Sequence, residues 1–188
     1  MSTLLEQYDT ALAEFDTRVA QIGDDQWSSP TPCTDWDVRT LVAHMVDECR
    51  WVPYLLGGGA PADAGERFAA DPLGDDPKGA WRRESAAARA ALEAEGALDH
   101  AVTVSAGEIS ARDYLWQLTV DLTVHAWDLA RAIGADEQLN HELVRRIHHE
   151  AEQDAELQAG NGLFDPPVHV PAHADLQAQM LGLFGRRT

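Results

Sequence analysis

Four stretches of this chain set apolar residues three and four positions apart, the spacing of one face of an α-helix, and that periodicity admits few folds. Leu4, Leu5, Tyr8, Leu12, Phe15, Val19 and Ile22 form the first stripe, over residues 2–22. Val38, Leu41, Val42, Met45, Cys49 and Val52 form the second. Its helix is expected to start at Thr34, where Thr34 and Asp37 have capping-box spacing. Residues 80–95 are alanine-rich and helical in propensity. Leu115, Leu118, Leu122, His125 and Leu129 form the fourth stripe, behind a capping pair at Ser110 and Asp113 and ahead of a stop at Gly134. A further helix over 137–158 and a short one over 173–184 follow.

The connections carry less regular signals. Residues 24–35 are turn-rich, with Pro30 and Pro32 blocking a ladder. Residues 57–79 read as a long irregular connection. Val102 and Val104 alternate with polar neighbours over 101–109, which predicts a short strand pair. Asn161-Gly162, Pro166-Pro167 and Pro171 make the tail extended. The expected fold is therefore all-α: an antiparallel four-helix bundle with a short strand pair and an appended C-terminal helix. A chain of 188 residues suits a single domain over 1–188, with 162–188 as an extension packed on it.

Charge narrows the function classes. With 14 Lys+Arg against 32 Asp+Glu, the formal net charge is −18. A phosphate backbone or an anionic membrane needs the opposite surface, so neither nucleic acid nor membrane is an expected partner. No apolar run is long enough for a membrane span, and the N-terminus lacks the basic and apolar regions of a secretory signal. The only cysteines, Cys33 and Cys49, point to a reducing, cytoplasmic setting and not to a disulfide framework. No phosphate-binding loop, dinucleotide fingerprint or nucleophile elbow is present, and no serine or cysteine has a base readable beside it. Cys33 reads as a small residue buried at a tight turn.

The chemistry sits in two apolar stripes. His44 lies three residues after Leu41, and His125 three after Leu122. An imidazole among leucines and valines needs a partner. Asp121, four residues before His125, shares its helix face. Two ligands on one helix and a third from another would give a nitrogen, nitrogen and oxygen set suited to zinc, with nickel also compatible. The plainer reading is a buried histidine held by a helix salt bridge. Glu48, four residues after His44, could be a fourth ligand, a partner to an imidazole or a general base, and Asp47 shares part of that claim. Trp51, seven residues after His44, is a candidate wall of a pocket above the ion. His141 with His148 or His149 is a weaker alternative site.

Three segments extend this reading: WSSPTPCTDWDVRTLVAHMVDE at 27–48, LTVDLTVHAWDLARAIG at 118–134 and GLFDPPVHVPAHADLQAQMLGLFGR at 162–186. Together they resemble the DinB-like helical-bundle metalloprotein superfamily, and within it the group related to the N-terminal metal-binding domain of mycothiol-dependent maleylpyruvate isomerase. The resemblance implies a divalent metal between helices, held by His44, Asp121 and His125. The isomerase has glutamate where this chain has Asp121, and it carries an additional C-terminal domain for which this chain has little room. The implied activity is a metal-dependent enzyme that uses a low-molecular-weight thiol, such as mycothiol, on a small molecule. The alternative is a non-catalytic metal- or small-molecule-binding module. A homodimer is compatible with either.

Overall fold

The computed structural model describes residues 3–153, 164–171 and 173–188. Among them it is mostly helical, with six α-helices, one 3-10 turn over Pro61–Asp63 and one two-stranded sheet. The long helices are α1 (Leu4–Gln21), α2 (Val38–Leu56), α3 (Pro77–Glu93) and α4 (Ala111–Ile133), followed by α5 (His141–Ala151) and α6 (Leu176–Leu183). Helix α1 packs along α4 and α2 along α3; smaller contacts join α2 to α4 and α1 to α3, while α5 packs against α6. Their inward stripes form one apolar core in which Phe15, Leu41, Met45, Trp81, Leu115, Leu122 and Ile147 are fully buried. No described helix is long and apolar enough to cross a membrane.

Local chemistry explains where the helices begin. Thr3 and Glu6 close a capping box on α1. Helix α2 starts later than Thr34, because Asp37 is its cap and accepts from the Thr40 backbone N–H. The residues before it form a tight loop: Pro30 bridges to Asp37, and Asp35 takes a positive φ of 64°. Helix α3 starts earlier than the alanine-rich run, at Pro77, behind an Asp76 cap. Helix α5 starts later than residue 137, because the backbone of Asp136 and Gln138 turns aside to accept from the buried Arg18 guanidinium. Asn140 then caps it, and residues 154–158 of the expected helix lie outside the described residues. Similarly Asp175 caps α6, which is shorter than the expected 173–184.

The strand pair forms where the alternation suggested, with Ala101–Val104 antiparallel to Gly107–Ser110 and Val102 opposite Ile109. Gly107, at φ 126°, makes the turn that a side chain would strain. The sheet ends directly on α4. Ser110 accepts from the Asp113 backbone N–H at 3.0 Å and donates to the Asp113 carboxylate at 2.6 Å. Ser110→Ala should therefore lower stability by about 1 kcal/mol, read from the midpoint of urea unfolding. In the tail, Pro166–Pro171 runs extended and the Val168 N–H donates to the Gly182 carbonyl. That contact seats α6, whose Met180 and Leu181 join the main core together with Phe184. Asn161-Gly162 lies outside the described residues.

Candidate metal centre

Helices α2 and α4 bring His44, Asp121 and His125 to one point. The His44 Nε2 lies 3.1 Å from one Asp121 oxygen, and the His125 Nε2 lies 3.3 Å from the other. One ligand atom from each residue falls within 4.8 Å of both others. Tetrahedral ligation with bonds of about 2.0–2.2 Å sets donors roughly 3.3–3.5 Å apart, so this set fits a divalent ion with little rearrangement. The Trp36 indole lies against both imidazoles, its ring centre 5.0 Å from His44 and 5.8 Å from His125. It is delivered by the tight loop ahead of α2, in which the Thr31 N–H donates to the Trp36 carbonyl.

Behind His125 stands a buried brace. The Asp128 Oδ2 is 2.9 Å from the His125 Nδ1, and the Asp128 side chain has no exposed surface. Arg186, from the end of the chain, donates to both Asp128 oxygens and to the Phe184 carbonyl, and its Nη2 lies 3.1 Å from the Cys33 sulfur. With Asp128 accepting from Nδ1, the Nε2 of His125 points at the Asp121 side and becomes the ligating nitrogen once its proton leaves. Cys33, His125 and Asp128 also lie close enough to form a second ligand group. There, however, the Arg186 guanidinium already provides the positive charge, so that group serves as a brace. Cys33 is buried near a tight turn as expected, yet it does have a basic group beside it, since its thiol donates to the Asp128 Oδ2 at 3.2 Å.

Electrostatics follow from this packing. Burial pushes the Asp121 carboxyl up, but the facing His125 and His44 imidazoles outweigh it and hold the group well below its ordinary range. Burial alone would lower His125, yet Asp121, Asp128 and Cys33 raise it well above the usual imidazole value. Without an ion His125 therefore carries a proton between two carboxylates, and an incoming ion must displace it. Asp121 is already ionised and releases none. Metal affinity should accordingly tighten by about tenfold per pH unit as pH rises below the His125 pKa, measured by competition titration with a chromophoric chelator. An affinity that is flat with pH would contradict the protonated brace.

The triad forms part of the wall of a cavity of about 860 Å³. Trp116, Leu118, Val120, Ile147 and Phe164 supply its apolar surface. Glu48 and Tyr114 line it as well; burial, reinforced by Asp121, pushes the Glu48 carboxyl up to about 7. Glu48 lies outside the three-residue ligand cluster, on the same cavity wall. Asp47 turns away and pairs with Arg50 at 3.1 Å. Trp51 does not roof the site: it packs on Phe68, ring centres 3.9 Å apart, on the connection after α2. A seven-residue step carries it about 10 Å along the helix, past the cavity. On α5, His141 is exposed, His148 lies 3.5 Å from Glu152 and His149 faces Gln153. Among the described residues these histidines join no ligand group.

Asp128 and Arg186 are absent from the sequence reading. Asp128 had a signal, since it sits three residues after His125 on the same buried helix and is one helical turn from the imidazole. Arg186 had none, because its partner lies 58 residues away.

The chain is similar to known proteins in sequence and in fold. The model of the mycothiol maleylpyruvate isomerase N-terminal domain family matches residues 8–130, a stretch that contains Cys33, His44, Glu48, Asp121, His125 and Asp128 and stops short of Arg186. Uncharacterised proteins from two strains of Mycobacterium tuberculosis are 31% identical over 134 residues, which is 69% of this chain and 66% of theirs. The chain thus spans just under two thirds of the length of these relatives. The fold is similar to a crystal structure of the mycothiol-dependent maleylpyruvate isomerase, with a TM-score of 0.63 at 18% identity over 80% of this chain and 72% of that one. A histidine-to-alanine variant of that enzyme matches at the same TM-score and 16% identity. By the extent of the family match, this chain belongs to the mycothiol maleylpyruvate isomerase N-terminal domain family.

Proposed function

We propose that this chain binds one divalent ion, zinc in the first instance, through His44, Asp121 and His125, and acts as a metal-dependent transferase or isomerase that uses a low-molecular-weight thiol on a small molecule. The observation that carries the reading is the convergence of two imidazoles and a carboxylate on the wall of a large cavity. Three protein ligands leave a position open, as in catalytic sites. Mycothiol is the leading thiol because of the family and the fold it shares with the mycothiol-dependent enzyme. The four long helices form an antiparallel bundle of DinB type in this reading, within a single cytoplasmic domain.

The bound ion would supply Lewis acidity that makes a thiol ionise near neutral pH. The chain's own residues do the rest. His44, Asp121 and His125 hold the ion, and Asp128 fixes the orientation of His125. Trp36, Trp116 and Phe164 keep water away from the reacting sulfur. Glu48, with a pKa of about 7, is matched to take up the thiol proton and to return one to the product. Glu48→Gln should slow thiol-dependent turnover by roughly 10²–10⁴-fold while leaving the bound metal in place. Zinc-loaded protein is incubated with mycothiol and a panel of electrophiles including maleylpyruvate, and loss of free thiol or isomerisation is followed. Activity unchanged in the variant removes Glu48 from the mechanism, and no reaction with any electrophile removes the enzymatic reading.

A further inference from the structure

The charge around the cavity points to the class of molecule it takes. Among the described residues, the one Lys or Arg on the cavity wall is Arg186. All three of its nitrogens are engaged: Nε and Nη2 donate to Asp128, Nη1 to the Phe184 carbonyl, and Nη2 also contacts Cys33. Arg186 is 4% exposed, and its guanidinium cannot turn toward a ligand without stranding the Asp128 carboxylate. Arg146 lies behind Trp116, over its ring at 4.0 Å, and pairs with Glu150 at 2.8 Å and with Gln7. Among the described residues, no lysine or arginine on the cavity wall is therefore left to receive a substrate carboxylate away from the metal.

The acids are placed the other way. Glu48 lies on the wall beside the triad, and Asp165 stands exposed at the cavity, close enough to Arg186 to raise it further. Tyr114 lines the same cavity, and among the described residues its buried hydroxyl has no hydrogen-bond partner. A phenol can donate to a neutral carbonyl or hydroxyl, and here no cation stands beside it to hold a full negative charge.

We propose that the cavity takes uncharged small molecules with an apolar body and a hydrogen-bonding carbonyl or hydroxyl, and discriminates against mono- and dicarboxylates. The apolar walls of Trp116, Val120, Ile147 and Phe164 hold the body, Tyr114 donates to the polar group, and Asp165 repels anions, joined by Glu48 while its carboxyl is ionised. This rests on the metal-and-thiol reading only for where the sulfur sits; the charge preference belongs to the cavity itself.

A matched pair of probes tests it. 4-Mercaptobenzamide and 4-mercaptobenzoate share a thiol and a ring and differ in one charge. Each is titrated into cobalt-loaded protein, with the sulfur-to-cobalt absorption band and tryptophan quenching read together. The amide should bind about tenfold or more tightly than the acid, since like-charge juxtaposition is the repulsive element that sets such specificity. Glu48→Gln with Asp165→Asn should close that gap by raising affinity for the acid, and Tyr114→Phe should weaken the amide alone. Equal or tighter binding of the acid by the unaltered protein, or a gap that survives the double substitution, overturns the proposal. If neither compound gives the sulfur–cobalt band, the thiol reading fails, and the charge preference is still read from quenching by the same two compounds.

Discussion

Replacing Asp128 by alanine is expected to destabilise the protein by about 3–5 kcal/mol, because it leaves the Arg186 guanidinium buried without its counter-ion. Asp128 is fully buried and Arg186 nearly so, at 4% exposed. The loss reaches further than stability. Asp128 also accepts from His125 Nδ1, and removing such an outer partner typically weakens metal binding by about 10–100-fold. Asp128→Asn separates the two effects. Its amide oxygen can still accept from Nδ1, so metal affinity should fall less than in the alanine variant, while Arg186 still loses its charge partner. Chemical unfolding and metal competition titrations on both variants check this. If alanine at 128 leaves both stability and metal affinity unchanged, the brace behind His125 has no energetic role.

His125→Ala is expected to abolish stoichiometric metal binding, with an affinity loss exceeding the roughly 10–100-fold of an outer-partner change. Its effect on the metal-free protein adds charge repulsion to the loss expected of a simple cavity. In the free chain the His125 imidazolium lies between Asp121 and Asp128, so alanine leaves one half-buried and one fully buried carboxylate without the cation between them. Their repulsion should lower stability near neutral pH and raise the Asp121 carboxyl from its depressed value. Because the His125 pKa is raised by folding, its contribution is fully present below the unfolded imidazole pKa. It is lost as pH rises through the higher folded value. The stability difference between native and variant metal-free protein should therefore shrink at alkaline pH. A difference that grows with alkalinity would contradict a charged His125.

The helices could be read from the sequence because their stripes are long and strongly periodic, and the Ser110 and Asp113 pair also gave the start of α4; the starts of α2, α3 and α5 could not be read. Helix α3 begins at Pro77 and not in the alanine run, since an Asp76 cap and a proline in the first turn outweigh the low propensity of Gly79. Residues 137–140 fall within the helix expected over 137–158, yet the Asp136 and Gln138 carbonyls are drawn to Arg18 in a different helix, which no local window contains. The site shows the same division. His44, Asp121 and His125 stand out because they interrupt apolar faces. Asp128 was legible in principle from its spacing, whereas its bond to Arg186 depends on how the chain's end folds back. Trp51 misled because a helix face repeats after seven residues while the cavity beside it does not.

The central claim is that His44, Asp121 and His125 hold one divalent ion. X-ray absorption at the zinc edge of the stoichiometrically loaded protein tests it directly, alongside elemental analysis of His44→Ala and His125→Ala. The account predicts a shell of two imidazole nitrogens with oxygen, no sulfur from the protein, and metal lost in both variants. A shell containing the Cys33 sulfur, or metal retained in full by His44→Ala, would place the ion elsewhere and contradict it.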